Sequence, residues 1–355
     1  MSKTMQQYVI SAVSLLVLLL CTSAVARAAC VTLTGAQVIV WHAGSISTPL
    51  KALETDYTCA TGIAVSDHSA GSLDMLRQVT AGGQAADIVA PADNLDIDLF
   101  LKPAGYADYD IRFAQSKIVL AYLHSDVEVA KGYTISDGTT FNPPDTIPNA
   151  AADWYDILLK SNITTAGSHL YLDPSGYRAP MIFQLAQDYY KVPNLYNDLL
   201  EHFIALPADG APSPSPFVLG TTYDFSLTYE SGAASTAKTN PDYRYVNLPD
   251  KISLGNTADN DYYARAVIVA PGLYGTGFVP LPASRVTWGV TIMKNAPDQA
   301  NAVLFLQYLL GSDGQGYFAA DGPTPITPAE VTQEDYRKLP ASLKSLVTVT
   351  ENTWK

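Results

Sequence analysis

The chain has 355 residues, 48% of them apolar and only 15% charged, a balance that suits a globular protein with sizeable cores. Its 34 acidic against 21 basic residues give a formal charge of −13, which argues against nucleic acid or an anionic membrane surface as a partner. If the ligand is a small anion, local donors in a site must attract it, because the bulk charge does not.

Residues 1–29 read as a secretory signal. Lys3 supplies a positive charge, residues 9–20 are almost wholly apolar, and Ala24-Val25-Ala26 and Ala26-Arg27-Ala28 both offer a small-x-small cleavage pattern. The apolar run is short of the roughly 20 residues of a membrane helix, which speaks against a transmembrane anchor. Cleavage leaves roughly 325 residues, enough for about two domains. Cys21 departs with the signal, so Cys30 and Cys59 remain as an even pair, which in an exported chain suits a disulfide. The alternative is a lipidated Cys30, but Arg27-Ala28-Ala29-Cys30 lacks the aliphatic residue expected three places earlier.

Residues 37–41 (QVIVW) are a β-branched run that stops at His42-Ala43-Gly44-Ser45. Residues 48–57 follow with Leu50, Leu53 and Tyr57 at helical spacing, and Pro49 fits the first turn of that helix. The pattern then repeats, with a strand over 63–65, a loop at Ser69-Ala70-Gly71-Ser72, and Leu73, Leu76 and Val79 on one helical face. Residues 86–90 predict a third strand, 95–101 a helix, and 117–122 (KIVLAY) a fourth strand. Strands alternating with helices predict a mostly parallel sheet.

A Gly/Pro-rich stretch over 132–149 punctuates the chain. Residues 154–159 predict a helix, 169–172 a strand, and 181–190 a helix with Ile182, Leu185, Ala186 and Tyr189 on one stripe. Residues 207–216 hold four prolines and read as a loop. Strands are predicted over 223–229, 267–270 and 285–293. The last long helix is predicted over 296–310, with Pro297 in its first turn and Gly311 just past its end.

Gly44-Ser45 and Gly71-Ser72 each follow a strand and open a helix. Unpaired N–H groups at a helix start favour negative charge, and a serine hydroxyl adds a neutral donor. Two such ends converging on one oxyanion is one reading; two ordinary serine caps is the other. Asp173-Pro174-Ser175 lies in a third strand–helix loop and reads by itself as an N-cap. A carboxylate beside an anion makes sense when the oxyanion has a hard, electron-poor metal centre, which oxygen ligands suit. Nucleophile-elbow and glycine-rich phosphate-loop patterns are missing, and the five histidines show no zinc spacing. His42 and His68 are expected to pack or to support the site rather than touch a ligand.

His42-Ala43-Gly44-Ser45-Ile46-Ser47 with Pro49 resembles the opening of the tungstate/molybdate-binding proteins of ABC transporters. The resemblance continues through Ala70-Gly71-Ser72, Ala86-Asp87-Ile88-Val89-Ala90, the segment from Phe113-Ala114 to Tyr122, and Trp154-Tyr155-Asp156-Ile157. It goes on through Asp173-Pro174-Ser175-Gly176-Tyr177-Arg178, Asn295-Ala296-Pro297 and Gly322-x-x-Pro325-Ile326, so it spans nearly all of the mature chain in order.

The resemblance implies an α/β periplasmic-binding-protein fold of type II, with two lobes on a two-segment hinge and the ligand in the cleft. Residues 30–122 and 285–355 are assigned to lobe I and 123–284 to lobe II. The implied ligand-binding residues are Ser45, the backbone N–H of Ile46, Ser72, Asp173, Pro174, Ser175 and Tyr229. The family brings two carboxylates to the metal. Asp173 matches the first, but Ala211 stands near the place of the second, and neither Asp209 nor Glu230 is a true match. Ser175 also replaces the family's cysteine. A four-coordinate oxyanion held by hydrogen bonds is then the counterpart to six-fold coordination.

The function implied is an extracytoplasmic solute-binding protein, a monomer that captures tungstate or molybdate and hands it to ABC permease subunits. It is expected to need no cofactor, to bind no metal apart from the oxyanion's own centre, and to catalyse nothing. The alternatives are a receptor for sulfate or phosphate, an exported hydrolase using Asp173 as base, and a sensor that kept the fold and lost the ligand.

Overall fold

The computed structural model describes residues 30–133, 153–205, 218–275 and 277–351. The signal over 1–29, most of the 132–149 stretch, the proline-rich loop at 207–216, and Asp209 and Ala211 within that loop lie outside the described residues.

Two mixed sheets organise the chain. The first has seven strands: β1 (Gln37–Ala43), β2 (Ala64–Ala70), β3 (Ile88–Ala90), β4 (Ile111–Gln115), β12 (Thr287–Ile292), β13 (Thr324–Val331) and β14 (Val347–Val349). Their spatial order is β14-β13-β4-β12-β3-β1-β2. The second sheet holds β5 (Ile118–Leu123), β6 (Thr165–Gly167), β7 (Phe203–Ala205), β8 (Phe225–Tyr229) and β9 (Tyr243–Asn247), in the order β7-β6-β8-β5-β9. A two-stranded ribbon, β10 (Val267–Pro271) with β11 (Phe278–Pro282), stands apart from both.

The helices used below are α1 (Ser47–Thr61), α2 (Ser72–Val79), α3 (Asp153–Leu158), α4 (Pro174–Tyr190), α5 (Leu195–Glu201), α6 (Glu230–Thr239), α7 (Gln299–Leu310) and α8 (Ser312–Asp321). α1 buries Leu50, Leu53 and Tyr57, the stripe its spacing predicts. α4 buries Ile182, Leu185 and Ala186. It starts at Pro174 because Asp173 caps it through the Ser175 N–H and proline fits the first helical position.

The structure corrects several expectations. The sheets are mixed rather than mostly parallel: β2 and β3 run parallel to β1, but β12 runs antiparallel to both β3 and β4. β12 comes back from the β10–β11 ribbon and inserts between β3 and β4, strands laid down earlier, so no crossover helix dictates its direction. Residues 169–172 are a turn, closed by the Asp173 N–H donating to the His169 carbonyl, and the strand of that region is β6. Residues 95–101 are helical as predicted, with the part from Ile97 to Leu101 wound as a π-helix. α7 starts at Gln299, capped by Asp298, which leaves Pro297 ahead of the helix.

β5 lies beside β8 and β9 in the second sheet, so the change of sheet comes before the division drawn after Tyr122. Only Ser116 and Lys117 separate β4 in one sheet from β5 in the other. The returning chain lies alongside: Ser116 N–H donates to the Val286 carbonyl at 3.1 Å, and Val286 N–H to the Leu254 carbonyl at 2.8 Å. Two adjacent extended segments therefore link the halves, the arrangement that permits hinge rotation. Cys30 and Cys59 form a disulfide that ties the first described residue to α1.

Candidate functional site

A cavity of about 260 Å³ lies between the two sheets' loops, lined by Ala43, Gly44, Ser45, Ala70, Asp173, Ser175, Thr228 and Tyr229. It is somewhat smaller than the roughly 300–1,000 Å³ of a drug-sized ligand site, which suits a small ligand. Ala43 to Ser45 come from the end of β1, Ala70 from β2, Asp173 and Ser175 from the start of α4, and Thr228 and Tyr229 from β8. Among the described lining residues, hydroxyls and one carboxylate face the space, and no lysine or arginine does.

Ser45 is exposed and caps no helix; its Oγ accepts the Trp288 indole N–H at 3.1 Å. Ser72 is no cap either. It is fully buried, does not line the cavity, and accepts the Ala92 N–H at 2.9 Å. The expected pair of open helix starts is also corrected. At α2 the Leu172 carbonyl takes the N–H of Leu73 at 3.0 Å and of Asp74 at 3.4 Å. A carbonyl from across the cleft stands where an anion was expected.

The Ile46 side chain is buried in the core, so only its backbone can serve a ligand. Pro174 is buried at the first position of α4 and does not line the cavity. Asp173 Oδ1 accepts the Ser175 N–H at 2.9 Å and the Ser175 hydroxyl at 3.1 Å, while Oδ2 accepts the Ser168 hydroxyl at 2.6 Å. The carboxylate is thus held rigid by three donors. Gly176 is required here, since a Cβ would lie 2.3 Å from the His169 carbonyl oxygen. Glu230, weighed as a second carboxylate, instead pairs with Lys117 at 3.2 Å.

A buried polar chain runs behind the cavity. Tyr229 accepts a hydrogen bond from Arg178 Nη1 at 2.7 Å, and the same guanidinium reaches the Ala92 carbonyl at 3.0 Å and Asp93 at 3.1 Å. The Tyr177 hydroxyl donates to Asp93 at 2.9 Å. These contacts pin α4 to the loop after β3. Burial pushes the Tyr229 phenol up, with Asp173 and Asp93 adding to the rise against the pull of Arg178, so its hydroxyl stays a proton donor. Burial next to Asp93 likewise raises Asp96, which favours the neutral acid there.

Trp288, Arg178 and Thr228 were missed as site residues in the sequence. Thr228 neighbours Tyr229 and so was within reach of a strand argument; Trp288 lies 243 residues from Ser45, and nothing local marks it. His42 and His68 stay out of the lining, as expected: His42 is buried against Asp67 at 2.7 Å, and His68 stacks on Trp41 at 4.6 Å. Among the described residues, no group of three or more His, Cys, Asp or Glu is placed to hold a metal ion, and no helix is long and apolar enough to cross a membrane.

Two α/β halves on a paired hinge with a polar cavity between them make up the periplasmic-binding-protein fold of type II. Residues 38–323 match the bacterial extracellular solute-binding proteins, and the chain belongs to that family. It is 29% identical to the molybdate/tungstate-binding protein WtpA of Thermococcus kodakarensis over 343 residues, covering 89% of this chain and 88% of that one. The sulfate-binding protein SubI from Mycobacterium tuberculosis superposes with a TM-score of 0.54 at 16% identity, over 82% of this chain and 87% of that one. The periplasmic molybdate-binding protein of Azotobacter vinelandii gives 0.50 at 15% identity, over 81% and 98%.

Proposed function

We propose that the protein captures tungstate or molybdate outside the cytoplasm by closing two lobes on the oxyanion, and delivers it as a monomer to the permease of an ABC transporter. The observation that carries this reading is the composition of the cavity: neutral hydroxyl donors from both halves and one fixed carboxylate, Asp173. The hydroxyls suit the oxygens of a dianion. The carboxylate would repel sulfate, but it suits an electron-poor metal centre that accepts a further oxygen. The relationship to WtpA agrees with this ligand.

In this reading Ser45 and the Ile46 backbone serve from the first half, with Ser72 buried behind the cavity wall, and Asp173, Ser175 and Tyr229 serve from the second, with Pro174 shaping the loop. Because the ligand touches both halves, it binds the closed state better and shifts the population toward it. With Asp173 the one carboxylate among the described lining residues, it adds a single oxygen to the metal centre at most, short of six-fold coordination, and hydrogen bonds carry most of the hold. Capture and release need neither a cofactor nor a reaction, and residues 1–29 serve as the export signal. A second reading, hydrogen phosphate, draws on the same carboxylate, which can accept that ligand's proton.

Calorimetric titration of the ligand-stripped chain with tungstate, molybdate, sulfate and phosphate tests the reading. The expected result is one tight site for a metal oxyanion, with sulfate at least 100-fold weaker. Asp173→Asn keeps the helix cap and loses the charge; it is expected to weaken tungstate tenfold or more while leaving sulfate equal or better. Tight phosphate binding with no response to tungstate or molybdate would establish the second reading instead.

A further inference from the structure

Trp288 is fully buried on β12, yet its indole reaches a candidate ligand residue of each half. Its Nε1–H donates to Ser45 Oγ at 3.1 Å, and its ring packs on the Tyr229 ring at 4.9 Å with an interplanar angle of 58°. A serine hydroxyl has one proton to give and two lone pairs to fill. With the indole N–H on a lone pair, the Ser45 proton is left to point away from the tryptophan, and Ser45 lines the cavity.

Two further hydroxyls are backed in the same way, Tyr229 in the cavity lining and Ser72 buried behind it, whereas the Ser175 hydroxyl donates to Asp173. Ser72 is backed by the Ala92 N–H at 2.9 Å and Tyr229 by the Arg178 guanidinium at 2.7 Å. Each of the three therefore has one lone pair taken from within the protein by a group that only donates, which restricts where its own proton can point. Trp288 is the one of these backing groups whose donor can be deleted while an aromatic ring stays in place.

We infer that Trp288 is a positioning residue for selectivity: it fixes Ser45 as a donor toward the ligand and seats Tyr229 beside it, so that the site favours oxyanions carrying no proton of their own. This rests on the oxyanion reading of the cavity. An unbacked Ser45 would turn freely and could accept a hydrogen bond from a protonated anion, eroding the discrimination.

The test is a double-mutant cycle of Trp288→Phe and Ser45→Ala, with Trp288→Tyr as a second ring-preserving variant, read by calorimetry with tungstate and hydrogen phosphate. Thermal melts identify the variants that remain folded. Trp288→Phe is expected to weaken tungstate about tenfold in the native background and less than twofold in Ser45→Ala. It is also expected to lower the tungstate-to-phosphate affinity ratio about tenfold, which a merely structural loss would leave unchanged. Equal loss in both backgrounds, or an unchanged ratio, overturns the inference. If the native chain binds sulfate and neither metal oxyanion, the ligand reading fails, and the same cycle run with sulfate against phosphate decides the role of Trp288.

Discussion

Glu54 lies on the buried face of α1, only 3% exposed, and its carboxyl accepts no hydrogen bond among the described residues. The Lys51 ammonium stands 3.9 Å away. Burial, helped by Asp67 and opposed by His42 and Lys51, raises the carboxyl to about 7 from 4.5. A raised acid binds its proton more tightly in the folded state, so this stability is full below the unfolded value and is lost as pH climbs through the folded one. The protein should therefore lose stability between about pH 4.5 and 7 and level off above that. Glu54→Gln removes the ionisation and should stabilise the chain by about 2 kcal/mol at pH 8 and by little at pH 4.5. Thermal melts across that range decide it; parallel pH curves for the two proteins would contradict it. At the same scale, Asp173 is legible from sequence as a helix cap because capping is local. Its carboxylate at the cavity wall is not, because that depends on β1 and β8 arriving there.

α2 meets the loop ahead of α4 across the cleft, a contact that the proposed closure has to make. Gly71 has φ −60° and ψ 140°, which any residue adopts, so no backbone strain calls for glycine here. Space does: a Cβ would lie 2.9 Å from the Leu172 carbonyl oxygen and 3.4 Å from Asp173 Cβ, across the cleft. Gly71→Ala should fold normally and resist closure. We expect its tungstate affinity to fall at least tenfold and its radius of gyration in solution scattering to contract less on adding ligand. Native affinity and full contraction would show that the two loops do not limit closure. Elements built on local rules were readable, such as β1 with its β-branched run and the apolar stripe of α4, though α4 begins at Pro174, seven residues before the predicted start at 181. β4, β7, β9, β11, β13, β14, α5, α6 and α8 went unread because their identity comes from the strands and helices they meet rather than from a local pattern. β6 was displaced because the exposed turn at 169–172 carries apolar residues that mimic a strand, whereas Thr165-Ala166-Gly167 is short and small.

For the whole molecule, an acidic chain of charge −13 binding a dianion needs a site insulated from its own surface. Paired hydroxyls inside a closed cleft supply that, because neutral donors gain strength when water is excluded. The two-half architecture was legible through the order of motifs along the chain. The point of crossing was not, since residues 117–122 read as one more strand of the first sheet, and only the pairing of β5 with β8 and β9 assigns it. The ribbon of β10 and β11 adds a further bridge: Gln184 on α4 bonds Val267 at its base, and near its tip Arg77 on α2 donates to the Pro271 carbonyl at 3.2 Å. The ribbon thereby engages both sides of the cleft at once. The most direct test is diffraction at the tungsten L3 absorption edge from crystals of the chain grown with tungstate. The account predicts a single strong anomalous peak in the cavity between Ser45, Asp173 and Tyr229. An empty cavity, or a peak only at the surface, would contradict it.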